Sequence, residues 1–217
     1  MGTYRHKETG KRFLLVHIPR TGGRFISVNL EKNGWEMEPI DYYGIPHYQH
    51  SVIDDCEIAH FYRELYEKHC DIEGIPQIAV IRNPVDRFIS ASTYFRTLYG
   101  SKVQQRMEDY DEFISIIENF HNDLDVETRN WWRPQIDYLT EETEVWKFED
   151  GLGDDFGNWM SEKLEVPFEV DSHARYRGNK YEDLKLDKTD NLVDNIKRYY
   201  SDDIERLYSG SMDLNVR

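Results

Sequence analysis

Residues 14–30, LLVHIPRTGGRFISVNL, decide the fold that we expect for this chain. An apolar run comes first, the polar loop 19–24 (PRTGGR) follows, and apolar residues resume at Phe25. This order predicts a buried strand, a tight loop and the start of a helix. Two adjacent glycines, Gly22 and Gly23, let the loop turn tightly and leave its amides open to a ligand. The first amides of a helix are unpaired and favour an anion.

The loop also carries two cations, Arg20 and Arg24, beside Thr21. Together with the amides of Gly22, Gly23, Arg24 and Phe25, they predict a site for a phosphate or a sulfate group. The nucleoside-triphosphate loop has Gly-Lys-Ser/Thr, in which the hydroxyl holds magnesium. That hydroxyl is missing here, and we expect no metal. The alternative is a strand-to-helix turn that uses its glycines only for packing.

A second segment, residues 77–95 (QIAVIRNPVDRFISASTYF), has the same strand-to-helix character. Its apolar run is typical of a central parallel strand, and Asn83 followed by Pro84 predicts a capped helix start. Arg82 then stands at the carboxyl end of the strand, where open α/β sheets bind ligands. Arg82 and Ser90 could hold one phosphate between them. The alternative is a surface ion pair and an ordinary helical serine.

Strands and helices alternate along the rest of the chain, which predicts an α/β, P-loop-like three-layer fold with a central parallel sheet flanked by helices. The apolar spacing places strands at 14–18, 35–40, 78–81 and 145–148. It places helices at 24–33, 54–69, 85–92, 113–120, 156–164 and 191–207. We expect one domain over residues 1–217, with residues 1–12 as an N-terminal tail.

Composition narrows the partners. The 217 residues carry a net charge of −15, which argues against nucleic acid and anionic membranes as partners. No apolar run approaches the ~20 residues that span a bilayer, and no signal peptide precedes the first strand. With two cysteines the chain has too few for a disulfide framework. We therefore expect a cytoplasmic protein.

Two further stretches could contact ligands. Trp131, Trp132 and Arg133 place two indoles beside a cation, which could line a sugar-binding cleft, although burial in the core is the commoner fate of tryptophan. Arg175 and Arg177 lie in a cationic stretch that could cover an anionic ligand, or could be a solvated loop.

These segments together resemble a known family. Residues 17–23, HIPRTGG, resemble the His-Ile-Pro-Lys-Thr-Gly-Gly loop with which carbohydrate sulfotransferases bind the 5'-phosphosulfate of PAPS (3'-phosphoadenosine 5'-phosphosulfate). Residues 80–90, VIRNPVDRFIS, resemble their 3'-phosphate-binding segment. The later stretches PQIDYL (134–139), KFED (147–150) and YYSDDIERLY (199–208) follow in the family's order.

The resemblance implies that PAPS donates a sulfuryl group to a hydroxyl, most simply that of a carbohydrate. Residues 20–25 would then hold the phosphosulfate, Arg82 and Ser90 the 3'-phosphate, and Arg175 and Arg177 more of the nucleotide. Arg20 replaces the family's lysine; an arginine keeps the charge but cannot donate a proton near neutral pH.

An acceptor hydroxyl needs a general base, and histidine has the most suitable pKa. His50 stands where related enzymes carry a histidine and is the first candidate, with His47 second and His60 third. His47, Trp132 and Arg133 are the candidates for binding the acceptor. Two rivals stay open: a non-catalytic module that binds PAP (the desulfated donor) or glycans, and a kinase-like phosphotransferase.

Overall fold

The computed structural model describes residues 2–99, 102–123, 130–174 and 186–208. The strands are β1 (Gly2–His6), β2 (Arg12–Val16), β3 (Trp35–Met37), β4 (Ile40–Tyr42), β5 (Ile45–His47), β6 (Val52–Ile53), β7 (Cys56–Glu57), β8 (Gln77–Ile81) and β9 (Thr143–Lys147). The helices are α1 (Gly23–Lys32), α2 (Arg63–His69), α3 (Pro84–Tyr99), α4 (Lys102–Arg106), α5 (Tyr110–Asp123), α6 (Asp154–Leu164), α7 (Asp190–Tyr199) and α8 (Ser201–Tyr208). Single 3₁₀ turns cover Ile58–His60, Gln135–Tyr138 and Phe148–Asp150.

The main sheet has five strands in the order β3-β1-β2-β8-β9. Strands β2, β8 and β9 are parallel, whereas β1 is antiparallel to both of its neighbours. The α/β class is therefore confirmed, but the sheet is mixed rather than parallel.

The expectation of a tail at residues 1–12 is wrong, because Gly2–His6 forms β1, an inner strand of that sheet. Tyr4 pairs with Phe13 across the strands and stacks on it, with 5.6 Å between the ring centroids. Only 6% of Tyr4 is exposed. Cross-strand aromatic pairs of this kind stabilise a sheet.

Helices cover both faces of the inner strands. Side chains of a strand alternate between its faces, so Leu14 and Val16 face one layer while Leu15 faces the other. The first layer includes α2 and α8 side chains, and the second includes α1 and α6 side chains. A further apolar cluster joins α3, α5 and α7. A fully buried Val, Leu, Ile, Phe or Met side chain contributes about 1.5–3 kcal/mol to the stability of the fold. These clusters therefore hold the layers together.

Residues 54–69 do not form the single amphipathic helix that their spacing predicts. Strands β6 and β7 form a hairpin whose two-residue turn, Asp54 and Asp55, has φ values of 49° and 56°. Two positive φ angles are typical of the tight hairpin turn, and aspartate tolerates that backbone better than most residues. The helix α2 therefore begins only at Arg63.

The other elements that frame the site agree with the sequence within a few residues. Helix α1 and strand β8 match the predicted ranges 24–33 and 78–81, and β9 begins two residues before the predicted 145. Asn83 caps α3, since its Oδ1 accepts from the Val85 amide at 3.0 Å. In the part of the chain that is described, no helix is both long enough and apolar enough to span a bilayer.

Candidate functional site

The loop between β2 and α1 turns through two residues with positive φ angles. Arg20 has φ 70° and Gly22, the residue that caps α1, has φ 90°. No side chain caps the helix at Gly22, and the first turn contains no acidic residue. The α1 amides and the positive end of the helix dipole are thus not neutralised by a local carboxylate. Thr21 is buried and donates its hydroxyl to the Ile18 carbonyl at 2.8 Å, so its side chain shapes the loop.

Glycine at position 23 is required by His17. A Cβ atom on Gly23 would lie 1.9 Å from His17 Nε2, far inside any permitted contact. The imidazole therefore packs directly against the first turn of α1. Burial lowers the pKa of His17 well below its usual value, with smaller effects in the same direction from His60 and Arg20. The ring is consequently neutral at pH 7 and adds no charge to the loop.

The two predicted anion-binding segments meet in space. Arg20 Nε donates to Ser90 Oγ at 3.1 Å, and Arg82 Nη1 donates to the Arg20 carbonyl at 3.2 Å. The Arg20 guanidinium lies over the Trp131 ring at 5.3 Å, and that of Arg82 lies over the Phe148 ring at 4.7 Å. Aromatic rings at these distances stabilise a guanidinium and restrict its orientation. Both arginines are thus positioned at the carboxyl ends of neighbouring strands, β2 and β8.

A buried hydrogen-bond chain fixes the backbone of Arg82, and sequence reasoning did not find it. The Gln135 side chain accepts from the Arg82 amide and donates to its carbonyl, both at 2.9 Å. The buried carboxylate of Asp203, on α8, in turn accepts from the amides of Gln135 at 2.9 Å and Ile136 at 3.0 Å. Burial lowers the pKa of Arg82, while Asp86 acts in the opposite direction. Arginine keeps its charge through such shifts.

One carboxylate and two imidazoles form a second group beside the loop. The carboxylate of Glu57, only 4% exposed, contacts His50 Nδ1 through one oxygen at 2.8 Å and His60 Nδ1 through the other at 3.0 Å. Burial acts to raise the pKa of Glu57, but hydrogen bonds from His60 and His50 together hold it below its usual value. Glu57 is therefore ionised at neutral pH.

The two histidines differ in position. The His60 side chain is 13% exposed, and its ring centroid lies 5.5 Å from that of His17 and 6.2 Å from that of Trp131. His17 is the ring that packs against Gly23, and Trp131 is the ring under the Arg20 guanidinium. The His50 side chain is 78% exposed on the outer side of Glu57. The structure therefore places His60, the third candidate from the sequence, next to the loop, and His50 farther out.

The expected acceptor-binding residues have different positions. Trp132 is fully buried, and its Nε1 donates to Ser92 Oγ at 3.2 Å, so the prediction that it stacks on a sugar is wrong. Arg133 is half-buried, with its guanidinium 3.8 Å from the Tyr62 ring centroid. His47 is half-buried at the end of β5. Roles for Arg133 and His47 in acceptor binding stay predictions.

Arg24 is exposed and Phe25 is half-buried in the first turn of α1, and an anion-binding role for their amides stays a prediction. Arg175 and Arg177 lie outside the described residues.

Arg87 supports the backbone of the segment that contains Trp131, and the sequence did not predict this role. It is fully buried and donates to the carbonyls of Trp131 at 3.1 Å and Arg133 at 2.7 Å. Its guanidinium lies 5.2 Å from the Tyr200 ring centroid. A guanidinium has donors in a fixed fork, so Arg87 sets the path of the segment that carries Trp131 to Arg20.

Within the described ranges, no group of three His, Cys, Asp or Glu side chains is arranged to hold a metal ion. Comparisons of the chain with protein-family models, with curated proteins and with solved structures each found no match. The geometry of the site is therefore the basis for assigning a function.

Proposed function

We propose that this protein is a sulfotransferase that moves the sulfuryl group of PAPS to an acceptor hydroxyl of a carbohydrate. The main support is the meeting of two anion-binding segments: the loop 20–25 with its uncapped helix end, and the strand end that carries Arg82 with Ser90 on α3. PAPS has two separate anionic groups, the 5'-phosphosulfate and the 3'-phosphate, and so needs two such segments.

The residues would divide the donor between them. The α1 amides and Arg20 would bind the 5'-phosphosulfate, while Arg82 and Ser90 would bind the 3'-phosphate. In the transfer, the acceptor oxygen forms a bond to sulfur as the bond between sulfur and the bridging oxygen breaks, and negative charge builds on the departing phosphate. Fixed positive groups aimed at that oxygen stabilise this charge. Arg20 can do so as a charge, without donating a proton.

The geometry favours His60 as the general base. Its ring lies beside the two rings, His17 and Trp131, that line the loop, whereas His50 is farther out. The acceptor's hydroxyl proton would pass to the imidazole as the oxygen attacks sulfur. A positioned base of this kind contributes about 10²- to 10⁴-fold to the rate.

The test is the transfer of radiolabelled sulfate from PAPS to a panel of acceptors: N-acetylglucosamine oligomers, lactose, a tyrosine peptide and 2-naphthol. We expect labelled product with at least one carbohydrate. In His60→Gln we expect turnover to fall by about 10²-fold or more, with PAP binding retained. A larger loss in His50→Gln than in His60→Gln would instead assign the base to His50.

A non-catalytic binding module is the second candidate, and Arg20 is the observation that favours it. If protonation of the bridging oxygen is indispensable, an arginine at this position stops turnover. Calorimetry would then show tight binding of PAP with no labelled product from any acceptor. Arg20→Lys should restore transfer in that case, and the sulfotransferase proposal would be overturned for the natural chain.

A further inference from the structure

Glu57 is the centre of a hydrogen-bonded group that the transfer chemistry above does not yet use. Its carboxylate lies at the end of β7 and is almost completely buried. Each of its two oxygens contacts a different histidine, both through Nδ1. A buried carboxylate is stable only when it is hydrogen-bonded, and the two imidazoles provide these bonds.

The contacts determine which ring nitrogen carries the proton. An ionised carboxylate can only accept hydrogen bonds, so the Nδ1 atoms of His60 and His50 must both be donors. A second contact supports the same tautomer of His50. The amide nitrogen of Gln49 lies 3.1 Å from His50 Nε2, and since an amide nitrogen only donates, the imidazole Nε2 accepts. In the neutral form of each imidazole, the basic lone pair is therefore on Nε2.

We propose that Glu57 is a positioning residue, which holds His60 in the Nδ1–H tautomer so that Nε2 takes the proton of the acceptor hydroxyl. This inference rests on the proposed function. The hydroxyl proton moves to His60 Nε2, the ring becomes an imidazolium, and the carboxylate of Glu57 stabilises the new positive charge without taking the proton itself. His50 binds the other carboxylate oxygen and keeps Glu57 oriented from the outer side.

The decisive variant is Glu57→Gln, because an amide has one accepting oxygen and one donating nitrogen. At most one histidine can then keep its Nδ1–H bond, and the other must turn its Nδ1 into an acceptor. We expect nitrogen-15 spectra of the imidazoles to show both rings as Nδ1–H in the natural protein and at least one converted in the variant. This measurement needs neither donor nor acceptor.

Turnover gives the second measurement. In Glu57→Gln we expect kcat to fall by about 10- to 100-fold, the range found when a carboxylate that orients a metal-ligating histidine is removed. KM for PAPS and calorimetric affinity for PAP should stay within about 2-fold. Glu57→Asp keeps the acceptor and should recover part of kcat. Glu67→Gln is the matched control: it makes the same change in an exposed ion pair with Arg63 and should alter neither measurement.

Several outcomes would overturn the positioning role. Both rings could remain Nδ1–H in Glu57→Gln, or kcat could be unchanged there although the His60 ring has converted. An equal loss of kcat and PAP affinity would indicate a purely structural role for Glu57. If the natural protein does not bind PAP, the proposed function fails instead, and the tautomer measurement still reports separately on the contacts of Glu57.

Discussion

Gly23→Ala is the sharpest perturbation of the loop, because one methyl group would occupy space that His17 already fills. The added Cβ would lie 1.9 Å from Nε2 and 2.2 Å from Cδ2 of the imidazole. Ordinary contacts are longer than about 3.4 Å, so either the ring or the first turn of α1 must move by more than 1 Å. Movement of the turn would displace the amides that are proposed to bind the phosphosulfate.

The cost can be worked out from the packing. Overpacking a well-filled site usually destabilises a protein by about 1–3 kcal/mol, and a clash this short belongs at the upper end. In a domain of 150–250 residues, each kcal/mol lowers Tm by about 2–4 °C. We therefore expect Gly23→Ala to melt about 6–12 °C below the natural protein, and to bind PAP more weakly.

Two further variants identify the cause. Gly153→Ala also adds a methyl group at the start of a helix, α6. Among the described residues, none beyond its chain neighbours and its own helix backbone lies within 4 Å of the new Cβ, so stability should change by less than about 1 kcal/mol. His17→Ala combined with Gly23→Ala removes the clashing ring and should recover stability relative to the sum of the single variants. Thermal melting and PAP calorimetry measure both effects. A Gly23→Ala protein that melts and binds like the natural one would refute the close packing of His17 on α1.

Two other predictions concern charged groups. The Asp203 carboxylate accepts from two backbone N–H groups, and in Asp203→Asn one of these donors loses its acceptor. We therefore expect the free energy of unfolding to fall by about 1–3 kcal/mol and PAP binding to weaken. Asp202→Asn, an exposed neighbour on α8, is the control, and equal effects of the two changes would contradict the role of Asp203. Hydrogen bonds from Lys68 and His69 lower the pKa of Asp54 to about 2. This stabilisation is present above the unfolded pKa of about 3.9 and is lost as the pH falls towards 2. Between these pH values the Tm of Asp54→Asn should therefore fall less than the Tm of the natural protein. Parallel curves of Tm against pH for the two proteins would contradict this.

The sequence was informative where local chemistry and tertiary structure agree. Residues 78–81 of β8 are an unbroken apolar run, and Asn83 with Pro84 starts α3 as expected. The convergence of Arg82 and Ser90 with the loop of Arg20 also follows from a general rule, because the carboxyl ends of parallel strands meet at one edge of the sheet.

The errors arise where long-range packing decides the structure. Strand β1 contains one large apolar residue, Tyr4, and its burial depends on pairing with Phe13. The apolar spacing of residues 54–69 suits a helix, but the two aspartates of the turn place Glu57 on a strand instead. Trp132 illustrates the same limit, since composition alone cannot separate a core indole from one that binds a sugar.

The site was likewise predicted only in part. Its arginines and glycines lie in recognisable segments. The hydrogen bonds that fix Arg82, however, join residues far apart in the chain: Gln135 is 53 residues from Arg82, and Asp203 is 68 residues from Gln135. No local pattern marks such contacts. The link from Glu57 to His60 spans only three residues, and a 3₁₀ turn brings the two side chains together.

The most direct test of the central claim is a titration with PAP followed through the backbone amide resonances. We predict saturable changes that are largest at residues 20–25 and at Arg82 to Ser90, and that are absent or much smaller with ATP and magnesium. No saturable change with PAP, or changes confined to other parts of the chain, would contradict the claim that these two segments form one donor site.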